Sequence, residues 1–247
     1  MALSALRGAV GFLTQLPVGT DERAFEAFCD TVWVVPLVGY LVGLLVSLPF
    51  LFAGPPETVA LLYVLAIVAA TGINHADGLA DLGDAAVVHG GPAKRRSVMR
   101  DTTVGVGAVT AVALAVAGLT LGGLGLAAVP PTVAIGIVIA AEVGAKLGVV
   151  TLAVAGRSSH AGLGEKLLDA SGEDMLLASV LAVPAVALTW PAPTAAAAVL
   201  AGPLVAVCLR QWAHARLDGV GGDVFGATNE LARIAALHAG VVVWTLS

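Results

Sequence analysis

Three aspartates stand at regular spacing in the stretch NHADGLADLGDA, residues 74–85: Asp77, Asp81 and Asp84, at i, i+4 and i+7. On a helix, at about 100° per residue, they share one face within about 60° of one another. Asn74 falls on the same face. Like charges at this spacing repel and weaken a helix, so something should offset them. A hard divalent cation does so: Mg²⁺ takes carboxylate oxygens, keeps several waters and is often shared with substrate phosphates. The same residues also suit an acidic, solvated helix start favoured by the helix dipole, and spacing alone leaves both readings open.

The segment AKRRSVMRD, residues 93–101, follows with Lys94, Arg95, Arg96 and Arg100. Cations beside metal-binding acids suit a phosphate-bearing substrate, which the cations clamp and the metal bridges. Lys94, Arg95 and Arg96 equally suit a basic anchor at a membrane surface. Arg100 and Asp101, followed by Gly105 and Gly107, point more towards a site, because small residues admit close approach. Glu142 and Lys146 lie four apart inside an apolar run. Such an ionisable pair is a functional-site candidate or a packing ion pair, and Lys146 is expected to snorkel towards a polar cavity. His160 stands in SSHAGLGEKLLD, residues 158–169. In RLDGVGGDVFGATNEL, residues 216–231, a glycine-rich turn surrounds Asp223, with Asn229 beyond it. Such turns present backbone N–H groups to anions or simply end helices.

These residues must be held by greasy elements. The chain is 58% hydrophobic and 12% charged, against about 25% charged in soluble domains, and its mean hydropathy is +0.96. Uncharged runs reach the roughly 20 residues that cross a bilayer. They predict an all-α, polytopic membrane bundle of one domain, residues 1–247, with about seven spans: 31–53, 57–73, 104–129, 131–154, two within 174–209 split at WPAPT, and 231–247. With seven spans drawn, every basic residue falls on or near one side. The positive-inside rule makes that side cytoplasmic, with the N-terminus inside and the protein multi-pass in the cell membrane. Three long polar segments, 74–103, 155–173 and 210–230, share that side and would carry a cytoplasm-facing active site. The opposite loops are too short to hold one.

Other features exclude alternatives. The net charge of −5 argues against nucleic acid as a partner. Cys29 and Cys208 lie far apart and form neither a disulfide framework nor a metal-ligand spacing. The N-terminal stretch lacks the apolar core and cleavage site of a signal peptide. Gly39 and Gly43 form a GxxxG pattern that permits close helix packing, within or between chains, so the oligomeric state stays open.

Six stretches in order resemble the cobalamin synthase family of adenosylcobinamide-GDP ribazoletransferases: FLTQLPVG, VPLVGYLVGLL, INHADGLADLGDA, RDTTVGVGAV, SHAGLGE and DGVGGDVFGATNEL. INHADGLADLGDA is similar to the family signature H-x-D-G-[LF]-[AC]-D-x-x-D. The resemblance implies a Mg²⁺-dependent phosphoryl transfer, with a corrinoid nucleotide and α-ribazole, or its 5′-phosphate, as substrates. It implies that the acceptor hydroxyl attacks the cobinamide-proximal phosphate and that GMP leaves. On this reading Asp77 and Asp81 hold the metal, and Asp84 completes the metal site or takes the hydroxyl proton. His75, Arg100, Asp101, Asp223 and Asn229 line the substrate path, with Lys146 in reserve. Thr103 replaces the family's arginine after Asp-Ser, and Gln15 replaces an N-terminal arginine. Asp218 and Gly221 depart from the turn before Asp223.

Two other classes compete. A CDP-alcohol phosphatidyltransferase also uses an aspartate-rich helix, Mg²⁺ and a membrane site, but its motif carries Ala-Arg after the Asp-Gly, where this chain has Ala80 and Asp81. A transporter would place ionisable groups near the midplane on broken helices, and only Glu142 and Lys146 come near that.

Overall fold

The computed structural model describes residues 2–19, 21–158 and 163–247. Its elements are helical: α1 (Ala2–Leu13), α2 (Glu22–Cys29), α3 (Val35–Ser47), α4 (Pro56–Thr71), α5 (Asn74–Val87), α6 (Pro92–Met99), α7 (Val106–Ala127), α8 (Pro131–Ala155), α9 (Leu163–Leu167), α10 (Gly172–Val186), α11 (Thr194–Leu217) and α12 (Gly222–Leu246). His160 and Gly162 lie outside the described residues.

Helix α8 is the axis of the bundle. Apart from Glu142 and Lys146, its sequence PTVAIGIVIAAEVGAKLGVVTLAVA is apolar all round, which is the pattern of a helix surrounded by others. It is enclosed by α3, α10, α11 and α12. Glycines set the close approaches. A Cβ on Gly39 would meet Val143 Cα at 2.7 Å, and one on Gly43 would meet Ile139 Cα at 2.7 Å. The GxxxG pair is therefore used within the chain, against α8.

The outer helices turn large apolar side chains outward, among them Leu61, Leu65, Leu114, Leu121, Val183, Leu200 and Leu204. An apolar belt of this kind matches lipid, not water. The seven apolar stretches are largely helical, but of the expected seven spans four among the described residues, or five with the bent α4–α5 pair, are long and apolar enough to cross. Among the described residues, the helical segments able by length and composition to cross alone are Val32–Leu51, Val106–Ala127, Pro131–Ala155 and Thr194–Leu217. Helix α4 qualifies only together with α5, from which it is bent by 98°. At 15 residues, α10 is about 22 Å long by its rise, short of the roughly 30 Å hydrocarbon layer. The turn between α10 and α11 contains WPAP, where the sequence divides the fifth and sixth runs.

The 98° corner after α4 positions the acidic stretch. Gly72 takes φ +68, which a side chain would resist, and Gln15 sits where its Cβ would be. The Gln15 N–H also donates to Ala70 O at 2.8 Å. So the residue that departs from the family's arginine braces this corner. Helix α5 turns away from the axis of α4 at this corner and packs against α12 and α7.

The three polar segments meet at one end of the bundle. Arg96 donates to Leu217 O at 2.6 Å and to Asp218 Oδ2 at 2.7 Å. Val220 N donates to Arg157 O at 2.7 Å, and Arg210 reaches Ala155 O. Much of what reads as loop is helix: 74–87 forms α5, 210–217 ends α11 and 222–230 begins α12.

Candidate active site

Helices α5 and α12 come into backbone contact at two glycines at the polar end. A Cβ on Gly78 would meet the Asp223 backbone oxygen at 2.8 Å, and one on Gly226 would meet His75 O at 3.1 Å. This contact brings Asp223 to the acidic face of α5. Asp77 is exposed and Asp81 half-buried. Burial and the neighbouring carboxylates of Asp223, Asp77 and Asp84 push the Asp81 carboxyl up to about 6. The crowding that the spacing predicts is therefore real, and it includes a fourth aspartate from α12.

Among the described residues no three His, Cys, Asp or Glu side chains form a ready metal cage. Mg²⁺ does not require one, since it commonly binds one or two carboxylates plus substrate phosphate and waters. The carboxylate crowding at Asp81 is of the kind that such a cation would relieve.

Asp84 does something else. Its Oδ2 accepts from Gly105 N at 2.8 Å and its Oδ1 from Ala108 N at 2.9 Å. Both oxygens thus serve the N-terminus of α7, where backbone donors lack intrahelical partners. The resemblance implies a metal or proton-transfer role for Asp84; in the fold both its oxygens are engaged at the start of α7. Asp84→Ala should cost about 1–3 kcal/mol by leaving buried donors unsatisfied, read as a lowered thermal midpoint in detergent. An unchanged midpoint would refute the capping role.

The cations divide likewise. Arg95 is buried and donates to Ala85 O and, at 3.1 Å, to Ala86 O, capping α5. Arg96 caps α11 as described. Arg96 and Arg100 also line a small cavity with Met99, Leu217, Gly221, Asp223 and Val224, so these two put positive charge beside Asp223. Asp101 turns into its own loop, accepting from Thr103 N at 3.1 Å. That bond holds its carboxyl below the usual range.

Lys146 and Asn229 stand behind the site, not in it. Lys146 is fully buried, so it does not snorkel. Its Nζ donates to Asn229 Oδ1 at 2.6 Å and lies 3.9 Å from Glu142 Oε2. Arg233 binds Glu142 and donates to both oxygens of Glu230, at 2.7 and 2.8 Å. Asn229 Nδ2 contacts His75 Nδ1 at 3.3 Å. The Glu142–Lys146 pair is thus part of a closed buried network rooted in α8 and α12, with His75 at its edge. Burial and the nearby cations of Lys146 and Arg233 push the His75 imidazolium down to about 3, so the ring is neutral.

A larger cavity of about 340 Å³ also borders Asp223. It is lined by Phe12, Phe28, His75, Leu167, Asp223 and Phe225, among others. Phe12 and Phe28 come from α1 and α2, with ring centroids 5.7 Å apart. Spacing and composition give no reason to bring these helices to the acids. The one available signal is FLTQLPVG, whose phenylalanine is Phe12.

The family model for Cobalamin-5-phosphate synthase matches residues 5–241. An adenosylcobinamide-GDP ribazoletransferase of Halorubrum lacusprofundi is 51% identical, over 99% of this chain and 99% of that protein. One of Haloquadratum walsbyi is 44% identical over 100% of both chains. One of Methanocella arvoryzae is 31% identical, over 98% of this chain and 97% of its own. No solved structure matches the chain significantly.

Proposed function

Since the chain belongs to the Cobalamin-5-phosphate synthase family, we propose that it is an adenosylcobinamide-GDP ribazoletransferase whose Mg²⁺-dependent chemistry runs where α5 crosses α12. The acceptor is α-ribazole or its 5′-phosphate. A ribose hydroxyl oxygen of the acceptor bonds to the cobinamide-proximal phosphorus. The bond from that phosphorus to the oxygen bridging it to GMP breaks, and GMP leaves with the electron pair. The product is adenosylcobalamin or its 5′-phosphate, and the hydroxyl proton is released.

The observation that carries this reading is the crowding of Asp81 by Asp77 and Asp223 beside a cavity lined by Arg96 and Arg100. Asp77 and Asp81 would hold Mg²⁺, which when bound neutralises diphosphate charge. Arg100, with Arg96 behind it, binds the diphosphate oxygens and stabilises the charge gathering on the departing GMP. Asp223 lines both cavities. It stands where the acceptor from one side meets the phosphate from the other, and takes the proton of the attacking hydroxyl. The site faces the cytoplasm of a cell-membrane protein, because the basic residues gather at its end of the bundle.

Purified protein in detergent, given adenosylcobinamide-GDP, α-ribazole and Mg²⁺, should release GMP only when all three are present. Chelation with EDTA should stop it, and Mg²⁺ should restore it. Absence of GMP from the complete mixture would refute the reaction. GMP release undiminished by EDTA would refute the metal.

A further inference from the structure

We infer that the larger cavity seats the flat base of the acceptor nucleoside, with His75 Nε2–H donating to the unprotonated ring nitrogen of that base. The inference rests on the transfer reaction proposed above.

The direction of that hydrogen bond follows from buried partners. A lysine ammonium only donates, and Lys146 Nζ lies 2.6 Å from Asn229 Oδ1. The Asn229 amide is therefore fixed with oxygen towards Lys146 and nitrogen towards His75. Its Nδ2 donates one hydrogen to Glu230 Oε1 at 3.2 Å and lies 3.3 Å from His75 Nδ1, where, having no lone pair to offer, it donates the other. A ring nitrogen that accepts carries no proton, which places the imidazole proton on Nε2. Glu230 does not compete for Nδ1. Its Oε1 is 3.8 Å away, beyond hydrogen-bond reach, and accepts from Arg233 instead. His75 Nε2 has no hydrogen-bond partner among the described residues.

His75 lines the cavity of about 340 Å³ together with Phe12, Phe28 and Phe225. The volume falls within the roughly 300–1,000 Å³ usual for small-molecule sites, which pair apolar walls with a few placed polar groups. The base of α-ribazole is a benzimidazole. One of its ring nitrogens bears the sugar, and the other carries a lone pair and no proton. Aromatic walls suit its faces, and a single oriented donor suits its lone pair. Asp223, at the border of the two cavities, then faces the ribose.

The test uses α-ribazole and its indole analogue, in which the lone-pair nitrogen is replaced by CH. Binding to the full-length protein is measured at equilibrium, and KM where turnover is seen. Wild-type protein should bind α-ribazole about 10- to 100-fold more tightly than the analogue, the range expected for one desolvated hydrogen bond. His75→Phe keeps a flat ring and removes the donor. It should weaken α-ribazole to the level of the analogue, with affinity for adenosylcobinamide-GDP unchanged. His75→Gln, which keeps an N–H, should recover part of the preference. Equal binding of both ribosides by wild-type protein would overturn the inference. So would a preference that survives His75→Phe or, if that variant does not fold, one unaltered in His75→Gln. The binding measurement stands apart from GMP release, so a failed reaction and a failed base site are distinguishable.

Discussion

Asp81→Asn should lower turnover by about three orders of magnitude while leaving the fold intact. The scale is that of removing one charged or hydrogen-bonding group aimed at a phosphoryl or acyl transition state. Asparagine has the same shape and removes only the charge. That charge is disfavoured in the resting protein, since burial and the carboxylates of Asp223, Asp77 and Asp84 raise the Asp81 carboxyl to about 6. Losing it relieves repulsion, so thermal stability should hold or rise slightly. A loss of activity with retained stability is the signature of a metal ligand, whereas Asp84→Ala should lose stability first. The shift also sets a pH dependence. As pH falls through about 6, Asp81 gains a proton and must release it to bind Mg²⁺. The Mg²⁺ concentration for half-maximal activity should therefore climb below that pH and level off above it. In Asp81→Asn the residual activity should lack this step. Wild-type activity in Asp81→Asn would remove Asp81 from the metal site.

The sequence carries the fold class and the acidic helix because both are written in local patterns. Uncharged runs report lipid-facing and buried helices alike, and a period of three to four residues reports one helix face. What the pattern cannot distinguish is which neighbour uses each carboxylate. Asp77, Asp81 and Asp84 are equivalent by spacing, yet Asp84 serves the start of α7 through Gly105 N and Ala108 N. That role depends on a contact 21 and 24 residues away in the chain. Lys146 is similar. Its position in an apolar run suggests snorkelling, but an acceptor on α12 holds it fully buried. Asp223 comes to the site through backbone contact at Gly78, and only the family resemblance hints at that crossing. The span count is blurred for a related reason. Hydropathy starts the last apolar run at 231, but polar residues that are satisfied internally extend α12 back to Gly222.

Arg233→Met should be the most damaging single change to the fold. Arg233 is fully buried on α12, and its guanidinium holds Glu142 on α8 and Glu230 on its own helix. Without it, Lys146 is the remaining cation at Glu142, at 3.9 Å, and it is already committed to Asn229. Glu230 is left beside neutral His75. Breaking a buried ion pair by removing one partner costs about 3–5 kcal/mol, because the surviving charge stays desolvated. For a chain of this size that corresponds to a thermal midpoint lower by about 6–20 °C. It should be visible as early aggregation in fluorescence-detected gel filtration. The reason lies in the unpaired carboxylates and not in lost packing, and a triple variant separates the two. Arg233→Met combined with Glu142→Gln and Glu230→Gln removes the stranded charges and should regain much of the lost midpoint, as replacing whole buried ion networks often does. If the single variant melts within a few degrees of wild type, the network is not what locks α12 to α8. If the triple variant is as unstable as the single one, the penalty comes from packing around the guanidinium instead. Activity should follow the same order, because α12 carries both Asp223 and the Asn229 that orients His75.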